Sequence, residues 1–268
     1  MVTIRRQTPS SSGWSRIRNC LRGIVTRTRV YFISDVHLGL TGEVRESRAQ
    51  EDSLIGFLRS IQDSALVLYI VGDLFDFWFE YRTVVPSWGA RVLFELHNLR
   101  ESGVRLVYLP GNHDIWLGPY LEKEVGFELL GGPVTVTHQG IKIFLAHGDE
   151  FRSDWKFRLS RSILKSVLCI GLFRLLHPDI GAWLARRTSH ISEQRARAHT
   201  ERNRRILLRG AREQIGKGAD VVICGHYHYL LQEQVGKGQL IVLGDWVSQD
   251  TYAVLENGAI ALMEWEAP

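Results

Sequence analysis

The sequence predicts an α/β protein built in layers, and three observations lead to that prediction. Apolar runs with strand character alternate with segments of helical periodicity early in the chain. Several short strands with turn signals follow near its end. Five of the apolar runs also end in Asp, His or Asn. Because ligands of α/β sheets bind beyond the carboxyl ends of the strands, we expect these polar clusters to converge.

Three strands and two helices are predicted between residues 29 and 114. The segments "RVYFISDVHLG", "ALVLYIVGDLFDFW" and "VRLVYLPGNHD" each predict a buried strand that runs into a polar loop. The segment "AQEDSLIGFLRSIQD" predicts a helix, because its apolar residues recur at helical spacing. The segment "GARVLFELHNLRESG" predicts a second helix, with Gly103 near its C-cap position.

The second half of the chain continues the pattern with more strands and another helix. "VTVTH" is a short strand, and "GIKIFLAHGDE" is a buried one that again ends in polar residues. "ERNRRILLRGAREQIGKG" has the pattern of a helix, and "ADVVICGHYHY" is a fifth strand with a polar end. The stretch "GQLIVLGDWVSQDTYAVLENGAIALMEW" predicts short strands joined by turns at "GD" and "NG".

The polar residues at the five strand ends have the composition of a metal site. They are Asp35, His37, Asp73, Asn112, His147, His226 and His228. Carboxylate, imidazole and amide ligands without cysteine suit Mn, Fe, Co, Ni or Zn. Seven ligands are too many for one ion with open positions, but they suit two ions about 3.5–4 Å apart. Asp73, which follows a glycine in a tight turn, is the expected bridge between the two ions.

The chain around these ligands is suited to hold them close together. Two-residue spacing puts Asp35 and His37, and likewise His226 and His228, on one face of an extended segment. Neighbouring glycines let the backbone turn sharply and approach the ions; they are Gly72, Gly111, Gly148 and Gly225. Each motif alone is typical of an ordinary turn, so the prediction rests on all five occurring in order.

A pair of such ions favours hydrolysis at phosphorus. Two ions lower the pKa of a bound water and stabilise both oxygens of an in-line displacement. His113, next to Asn112, is expected to act as the catalytic residue that protonates the leaving oxygen or stabilises charge. Asp114 is expected to assist by accepting the other N–H of the His113 ring.

The motifs "DVH", "GD", "GNHD", "H" and "GHYH", in this order over residues 30–265, resemble the calcineurin-like metallophosphoesterases. The resemblance implies a four-layer sandwich of two mixed β-sheets flanked by helices, with a helical cap insertion. It also implies that Asp35, His37, Asp73 and His228 hold the first metal. The second metal would be held by Asp73, Asn112, His147 and His226.

A narrower resemblance rests on "GDLFDFW", "GNHDIWLG", "AHGDEF", "GHYHYL" and "IVLGDW", which are similar to the UDP-2,3-diacylglucosamine diphosphatases of lipid A synthesis. These enzymes split the diphosphate of a UDP-linked diacyl sugar, giving UMP and 2,3-diacylglucosamine 1-phosphate, usually with two Mn²⁺ ions. The best-known subgroup has arginine after the asparagine, whereas this chain has His113 there.

An insertion at residues 152–205, between His147 and His226, is rich in both apolar and basic residues. One interpretation is a helical hairpin packed on the core with a solvated basic face. The other is a cap with an acyl-chain groove and a basic face for diphosphate or anionic lipid. The resemblance implies substrate contacts from Asp154 and Ser189. We expect further substrate contacts from Asn112, His113, Arg186, Arg187, Arg195 and His226, the arginines as partners of phosphate.

The remaining expectations concern the whole chain. Residues 1–28 are basic and Ser-rich, and we expect a disordered or weakly helical extension or, alternatively, a basic arm on anionic lipid. Residues 29–268 then form the metallophosphoesterase domain. The net charge of +4 favours an anionic partner. Three widely spaced cysteines predict no disulfide framework and a reducing compartment.

The expected partners are the UDP-linked lipid and an anionic membrane surface, with the protein cytoplasmic and peripheral on the inner face of the cell membrane. No apolar run approaches the roughly 18 residues of a membrane span. Three alternatives remain open: a soluble metallophosphoesterase acting on a nucleotide or phosphoprotein, a non-catalytic scaffold, and a nuclease. No nucleic-acid partner is expected, because no aromatic residues interleave the basic ones.

Overall fold

Two mixed β-sheets lie face to face and carry helices on their outer faces, which confirms the predicted four-layer sandwich. This arrangement is seen in a computed structural model. The model describes residues 27–39, 44–151, 155–184, 187 and 200–267. The predicted extension therefore lies almost entirely outside the described residues, as do the predicted substrate contacts Asp154, Arg186, Ser189 and Arg195.

The first sheet has the strand order β11-β10-β1-β2-β3-β4. Strands β1 to β4 are parallel, whereas β10 pairs antiparallel with β1 and with β11. The strands span Arg29–Ile33 (β1), Ala65–Val71 (β2), Arg105–Leu109 (β3), Glu128–Leu129 (β4), Thr251–Glu256 (β10) and Ala259–Glu264 (β11).

The second sheet has the order β5-β6-β7-β9-β8, in which β6, β7 and β9 are parallel and the two outer pairs are antiparallel. Its strands span Val134–His138 (β5), Ile141–Leu145 (β6), Val221–Cys224 (β7), Leu230–Val235 (β8) and Gly238–Leu243 (β9). All five strands predicted to end in polar residues are thus present, three in the first sheet and two in the second.

Helices α1 (Val44–Ile61) and α2 (Ala90–Glu101) cover the first sheet, and α6 (Thr200–Gly216) covers the second. The chain leaves α2 through Ser102 and the left-handed Gly103, as the sequence predicted. The described part of the insertion contains three shorter helices: α3 (Trp155–Leu164), α4 (Val167–Phe173) and α5 (Pro178–Leu184).

Three layers of apolar side chains hold the sandwich together. Alternation along β1 sends Tyr31 and Ile33 toward α1 and α2, and Val30 and Phe32 toward the second sheet. Across the second sheet, Val222 and Cys224 of β7 pack against α6. Buried on both faces, the parallel strands bring their carboxyl ends to one edge of the sandwich, where the predicted ligands follow them.

The insertion exposes much of its apolar surface. Val167, Leu168 and Leu175 are 88%, 74% and 82% exposed. Among the described residues, no single helix is long and apolar enough to cross a membrane. Helices α4 and α5, bent by 117° from each other, meet the criteria of length and composition only as a pair.

Candidate metal centre

Loops from both sheets bring the predicted ligands together at one edge of the sandwich. Asp35 and His37 follow β1, and Asp73 follows β2. From the second sheet, His147 follows β6, and His226 and His228 follow β7. The carboxylate of Asp35 accepts a hydrogen bond from the His226 backbone N–H (2.8 Å), which ties the β1 loop to the β7 loop across the two sheets.

One group of ligand atoms gathers around Asp35. Its members are Asp35, His37 and His228, whose ligand atoms all lie within 4.8 Å of one another. The Asp35 carboxylate lies 3.7 Å from Nε2 of His37 and 3.6 Å from Nε2 of His228. The two imidazole rings are stacked, with 5.0 Å between their centroids. Three buried ligands of this kind suit one divalent cation.

A second group gathers around Asp73, His147 and His226. Nε2 of His147 lies 3.1 Å from the Asp73 carboxylate and 3.1 Å from the Asn112 amide oxygen. The same Asp73 carboxylate lies 3.9 Å from Nε2 of His37, which belongs to the first group. Asp73 thus stands between the two groups, where the sequence analysis expected a bridging carboxylate.

The backbone at these ligands adopts a rarely occupied conformation. Positive φ angles occur at Asp35, His37, Asp73, His226 and His228, where they are 53–72°, and at only three other described non-glycine residues, where they are 48–50°. Left-handed backbone at a residue with a side chain is uncommon and costs free energy. Its concentration here means that the surrounding fold holds the ligands in one arrangement.

Two of the predicted glycines are needed because the ligands approach the backbone closely. A Cβ atom at Gly72 would lie 2.2 Å from Nδ1 of His147. A Cβ atom at Gly225 would lie 1.9 Å from the Ser34 hydroxyl and 2.2 Å from the Asp35 carboxylate. Any larger residue at either position would therefore push a ligand out of place.

The donor set fits divalent cations. Two buried polar atoms of the first ligand group, Oδ1 of Asp35 and Nε2 of His37, lie 3.7 Å apart and have no hydrogen-bond partner. Buried polar atoms are nearly always satisfied, so a group of unsatisfied ones aimed at a common point indicates a site for ions. The donors are oxygen and imidazole nitrogen, which suit Mn, Fe, Co, Ni or Zn.

The electrostatics of the site also favour bound positive charge. Burial opposes ionisation of Asp35, yet the His228 ring and the contact with His37 lower its pKa to about 2. Burial likewise opposes protonation of His37, but contacts with Asp35 and Asp76 raise its pKa to about 10. In the second group, burial and the neighbouring His147 ring lower the pKa of His226 to about 4. The lowered pKa favours the neutral form of the His226 ring, which is the form in which an imidazole binds a metal.

His113 lies at the rim of the centre, but a different carboxylate from the predicted one faces its ring. Nδ1 of His113 lies 3.3 Å from the Asp76 carboxylate. Asp114 instead organises the loop after β3: it accepts hydrogen bonds from the Tyr108 hydroxyl and from the backbone N–H of Gly111 and Phe75. Burial and the charge of Asp73 raise the pKa of Asp114 to about 6.

Sequence reasoning missed Asp76, although "GDLFD" places it three residues after Asp73. It also missed Asp245, whose carboxylate lies 3.3 Å from Nδ1 of His228. The "GDW" motif that contains Asp245 was noted, but without a role. Neither contact is visible in the sequence, since each joins loops that are distant along the chain.

Within the described ranges, the insertion contacts metal-centre loops of both sheets. Near the second sheet, Arg161 of α3 forms an ion pair with the buried carboxylate of Asp149 and lies 3.6 Å from the Glu150 carboxylate. Near the first sheet, the indole N–H of Trp116 donates to the Leu164 backbone carbonyl (2.8 Å). The helices therefore cross the edge of the sandwich from one sheet's loops to the other's.

Aromatic packing reinforces the second attachment. The ring of Phe173 lies 4.8 Å from those of Phe79 and Trp116, and 5.6 Å from that of Phe77. Beside this cluster is a cavity of about 600 Å³, bounded by Lys165, Ile170 and Arg174 of the insertion and by loops of the first sheet. Trp116 lines this cavity, whereas Trp78 packs in the core with no exposed surface.

Of the insertion residues predicted to contact substrate, only Arg187 is described. Its guanidinium lies 5.7 Å from the centroid of the Trp183 ring, and its side chain is exposed. Its role therefore stays a prediction, as do those of the four residues outside the described ranges.

Known proteins resemble this chain over most of its length. The UDP-2,3-diacylglucosamine hydrolase of Porphyromonas gingivalis is 32% identical over 263 residues, which cover 90% of this chain and 98% of that protein. The Pseudomonas fluorescens protein of the same name is 31% identical and covers 89% of this chain and 97% of its own length. Among solved structures, a novel archaeal phosphodiesterase covers 88% of this chain and 99% of its own, with 13% identity and a TM-score of 0.44.

The family model for calcineurin-like phosphoesterases matches residues 28–230. That span contains all seven predicted ligands and ends just after the last of them, His228. The motif order that suggested the resemblance and the family model thus agree on the same region. The chain belongs to the calcineurin-like phosphoesterase family.

Proposed function

We propose that this protein is a dimetal hydrolase that cleaves the diphosphate of UDP-2,3-diacylglucosamine, giving UMP and 2,3-diacylglucosamine 1-phosphate. The observation that carries the proposal is the pairing of a complete two-group ligand set with a helical insertion that exposes apolar surface beside it. The names of the two relatives described above support the same substrate.

The first ion would be held by Asp35, His37, Asp73 and His228, and the second by Asp73, Asn112, His147 and His226. Mn²⁺ is the proposed metal. When bound, two divalent cations activate a water and stabilise the charge that develops at phosphorus. The chain itself positions these ligands through strand ends and left-handed backbone, so little rearrangement is needed during the reaction.

Proton transfer to the leaving oxygen is assigned to His113. The Asp76 carboxylate, 3.3 Å from Nδ1 of His113, keeps the ring oriented and favours its protonated form. Although burial opposes protonation of His113, the charge of Asp73 and the contact with Asp76 raise its pKa. A protonated His113 can then donate from Nε2 to the phosphate oxygen that leaves. Asn112 helps to place a phosphate oxygen.

The insertion is proposed to act as a cap that binds the acyl chains. Its exposed apolar side chains are more numerous than a helix packed on a core would leave; they include Leu159, Ile163, Val167, Leu168, Leu172 and Leu175. The nearby cavity of about 600 Å³ has apolar walls at Phe79, Trp116 and Ile170 and basic side chains at Lys165 and Arg174. Such a lining suits a molecule with hydrocarbon chains and phosphate groups.

The same surface is proposed to bind an anionic membrane. Apolar side chains at Val167, Leu168 and Leu175 would enter the boundary between lipid head groups and acyl chains. Arg174 and Arg187 stand close to them in the chain and would attract anionic head groups. A substrate with two acyl chains resides in the membrane, so an enzyme that binds the surface would meet it there.

Release of UMP from UDP-2,3-diacylglucosamine with added Mn²⁺ tests the proposal, with bis-p-nitrophenyl phosphate as a second substrate. Release of UMP that depends on the metal supports the proposed reaction. If only the small diester is cleaved, the lipid assignment fails and the protein is a different phosphoesterase. His147→Ala, which removes a ligand, should abolish both activities and controls for contaminating enzymes.

A further inference from the structure

Asp245 contacts the ring of His228, a proposed metal ligand, on the side that faces away from Asp35. Its carboxylate oxygen Oδ2 lies 3.3 Å from Nδ1 of His228, while Nε2 on the opposite side of that ring lies 3.6 Å from the Asp35 carboxylate. Asp245 is 1% exposed, so the contact is shielded from water. The ring is thus placed between one carboxylate that belongs to the metal centre and one that does not.

The turn that contains Asp245 fixes the position of this carboxylate. Its other oxygen, Oδ1, accepts hydrogen bonds from the backbone N–H of Val247 (3.1 Å) and of Ser248 (2.7 Å), and from the Ser248 hydroxyl (3.0 Å). The next residue, Trp246, is 1% exposed and packs in the apolar layer between the first sheet and helices α1 and α2. Oδ2 is therefore presented to the His228 ring by a turn with little freedom to move.

The same turn also reaches the other side of the metal centre. The backbone N–H of Trp246 donates to the backbone carbonyl of Asp35 (3.1 Å). The turn thereby contacts two members of the first ligand group, Asp35 through its backbone and His228 through its ring. A displacement of this turn would disturb both ligands at once.

The second ligand group is held differently. Nδ1 of His147 lies 3.0 Å from the backbone carbonyl of Val71, which belongs to β2 and depends on no side chain. A substitution at Asp245 would therefore act on the first group and leave the support of His147 intact. The two ion sites therefore differ in the group that supports a histidine ligand, and a substitution of Asp245 should affect only the first site.

We propose that Asp245 is a positioning residue that directs Nε2 of His228 toward the first ion and thereby sets the affinity of that one ion site. The inference rests on the proposed two-ion site but not on the identity of the substrate. A carboxylate behind a ligating imidazole fixes both the orientation of the ring and the nitrogen that carries the proton. Substituting such partners typically costs about 10–100-fold in metal affinity.

Asp245→Asn is the informative variant. The amide keeps an oxygen that can accept the hydrogen bonds of the turn, whereas the group facing His228 becomes an NH₂, which cannot accept a hydrogen bond from the ring N–H. The experiment is a titration of metal-free full-length protein with MnCl₂ by calorimetry, with bound metal confirmed after equilibrium dialysis. Asp250→Asn is the matched control, because Asp250 lies in the same loop but bonds to Ser53 rather than to a ligand.

The wild-type protein should bind two ions, and Asp250→Asn should bind two ions with the same affinities as wild type. Asp245→Asn should show one binding step weakened by about 10–100-fold and the other unchanged. Equal affinities in Asp245→Asn and wild type overturn the proposal, and so does equal weakening of both steps. A wild-type protein that binds fewer than two ions overturns the two-ion site itself. Failure to hydrolyse the lipid would count against the proposed substrate and leave this result standing.

A second measurement does not depend on the stability of a variant. Nitrogen-15 spectra of the histidine rings in the Zn²⁺-loaded wild-type protein distinguish the two neutral forms of the imidazole. We expect His228 to carry its proton on Nδ1, facing Asp245. A proton on Nε2 of His228 would overturn the proposal.

Discussion

Arg161 of the insertion forms an ion pair with the buried carboxylate of Asp149, two residues after the proposed metal ligand His147. The side chain of Asp149 has no exposed surface, and that of Arg161 is 17% exposed. This contact links the proposed cap to a loop of the metal centre. It suggests that the position of the cap and the order of the site depend on each other.

Arg161→Gln should impair the lipid reaction more than hydrolysis of the small diester. The substitution leaves Asp149 buried without its partner, and losing one member of a buried pair typically costs about 3–5 kcal/mol. The cap would then lose its attachment near the second sheet. kcat/KM for UDP-2,3-diacylglucosamine and for bis-p-nitrophenyl phosphate measures the difference. Arg209→Gln, an exposed position of α6 outside the insertion, is the control. Equal losses on both substrates would argue against a cap that serves only the lipid.

His113→Ala and Asp76→Asn should both lower kcat. General acid catalysis contributes typically about 10²–10⁴-fold, so we expect a loss in that range for His113→Ala and a smaller one for Asp76→Asn. If Asp76 acts through the His113 ring, the double variant should be no slower than His113→Ala alone. Single-turnover rates of the three variants measure this. Multiplicative losses would show that Asp76 acts independently, for example through His37, which it faces at 3.7 Å.

Gly225→Ala should abolish metal binding. Its Cβ atom would lie 2.2 Å from the Asp35 carboxylate and 1.9 Å from the Ser34 hydroxyl, so the first ligand group must shift. Gly216→Ala is the matched control, because a Cβ atom at Gly216 meets nothing within 4 Å. Metal content after dialysis against Mn²⁺ checks the outcome. Two ions bound per chain in Gly225→Ala would contradict the described geometry.

Leu168→Glu and Leu175→Glu should weaken binding to vesicles that contain anionic lipid. Both side chains are largely exposed, so the free energy of unfolding should hardly change, but burial of apolar surface in the membrane is lost. Sedimentation with vesicles measures binding, and the small diester tests whether the site is intact. Phe94→Glu, an apolar position on α2 that is 66% exposed, is the control. Retention of vesicle binding in both insertion variants would refute the membrane proposal.

We expect the free energy of unfolding to depend on pH through the protonation of His138. Its ring lies 2.8 Å from the Tyr69 hydroxyl, and burial together with the charge of Arg105 lowers its pKa below the ordinary 6.5. The unfolded chain therefore binds a proton more readily than the folded one, so stability falls as the pH drops below about 6.5. Urea unfolding at several pH values should show this dependence in wild type and less of it in His138→Gln. Identical pH profiles of wild type and His138→Gln would show that His138 does not cause the dependence.

The ligands themselves were predictable because each follows an apolar strand, and strand ends bring polar residues to one edge. The sequence alone therefore predicts that Asp35, Asp73 and His147 lie close together. The partners behind the rings could not, since Asp76 and Asp245 reach their histidines across loops whose course depends on tertiary packing. The strand order was also beyond the residues alone: β9 lies between β7 and β8, and β10 joins the first sheet beside β1.

The ligands divide between the two sheets, with Asp35 and Asp73 on one and His147, His226 and His228 on the other. Each cation would therefore cross-link the two halves of the sandwich at their open edge. A chelator should then do more than stop catalysis: it should lower the melting temperature and make the edge loops accessible to proteases. The supply of metal would therefore set the resistance of the protein to unfolding and proteolysis as well as its catalytic rate.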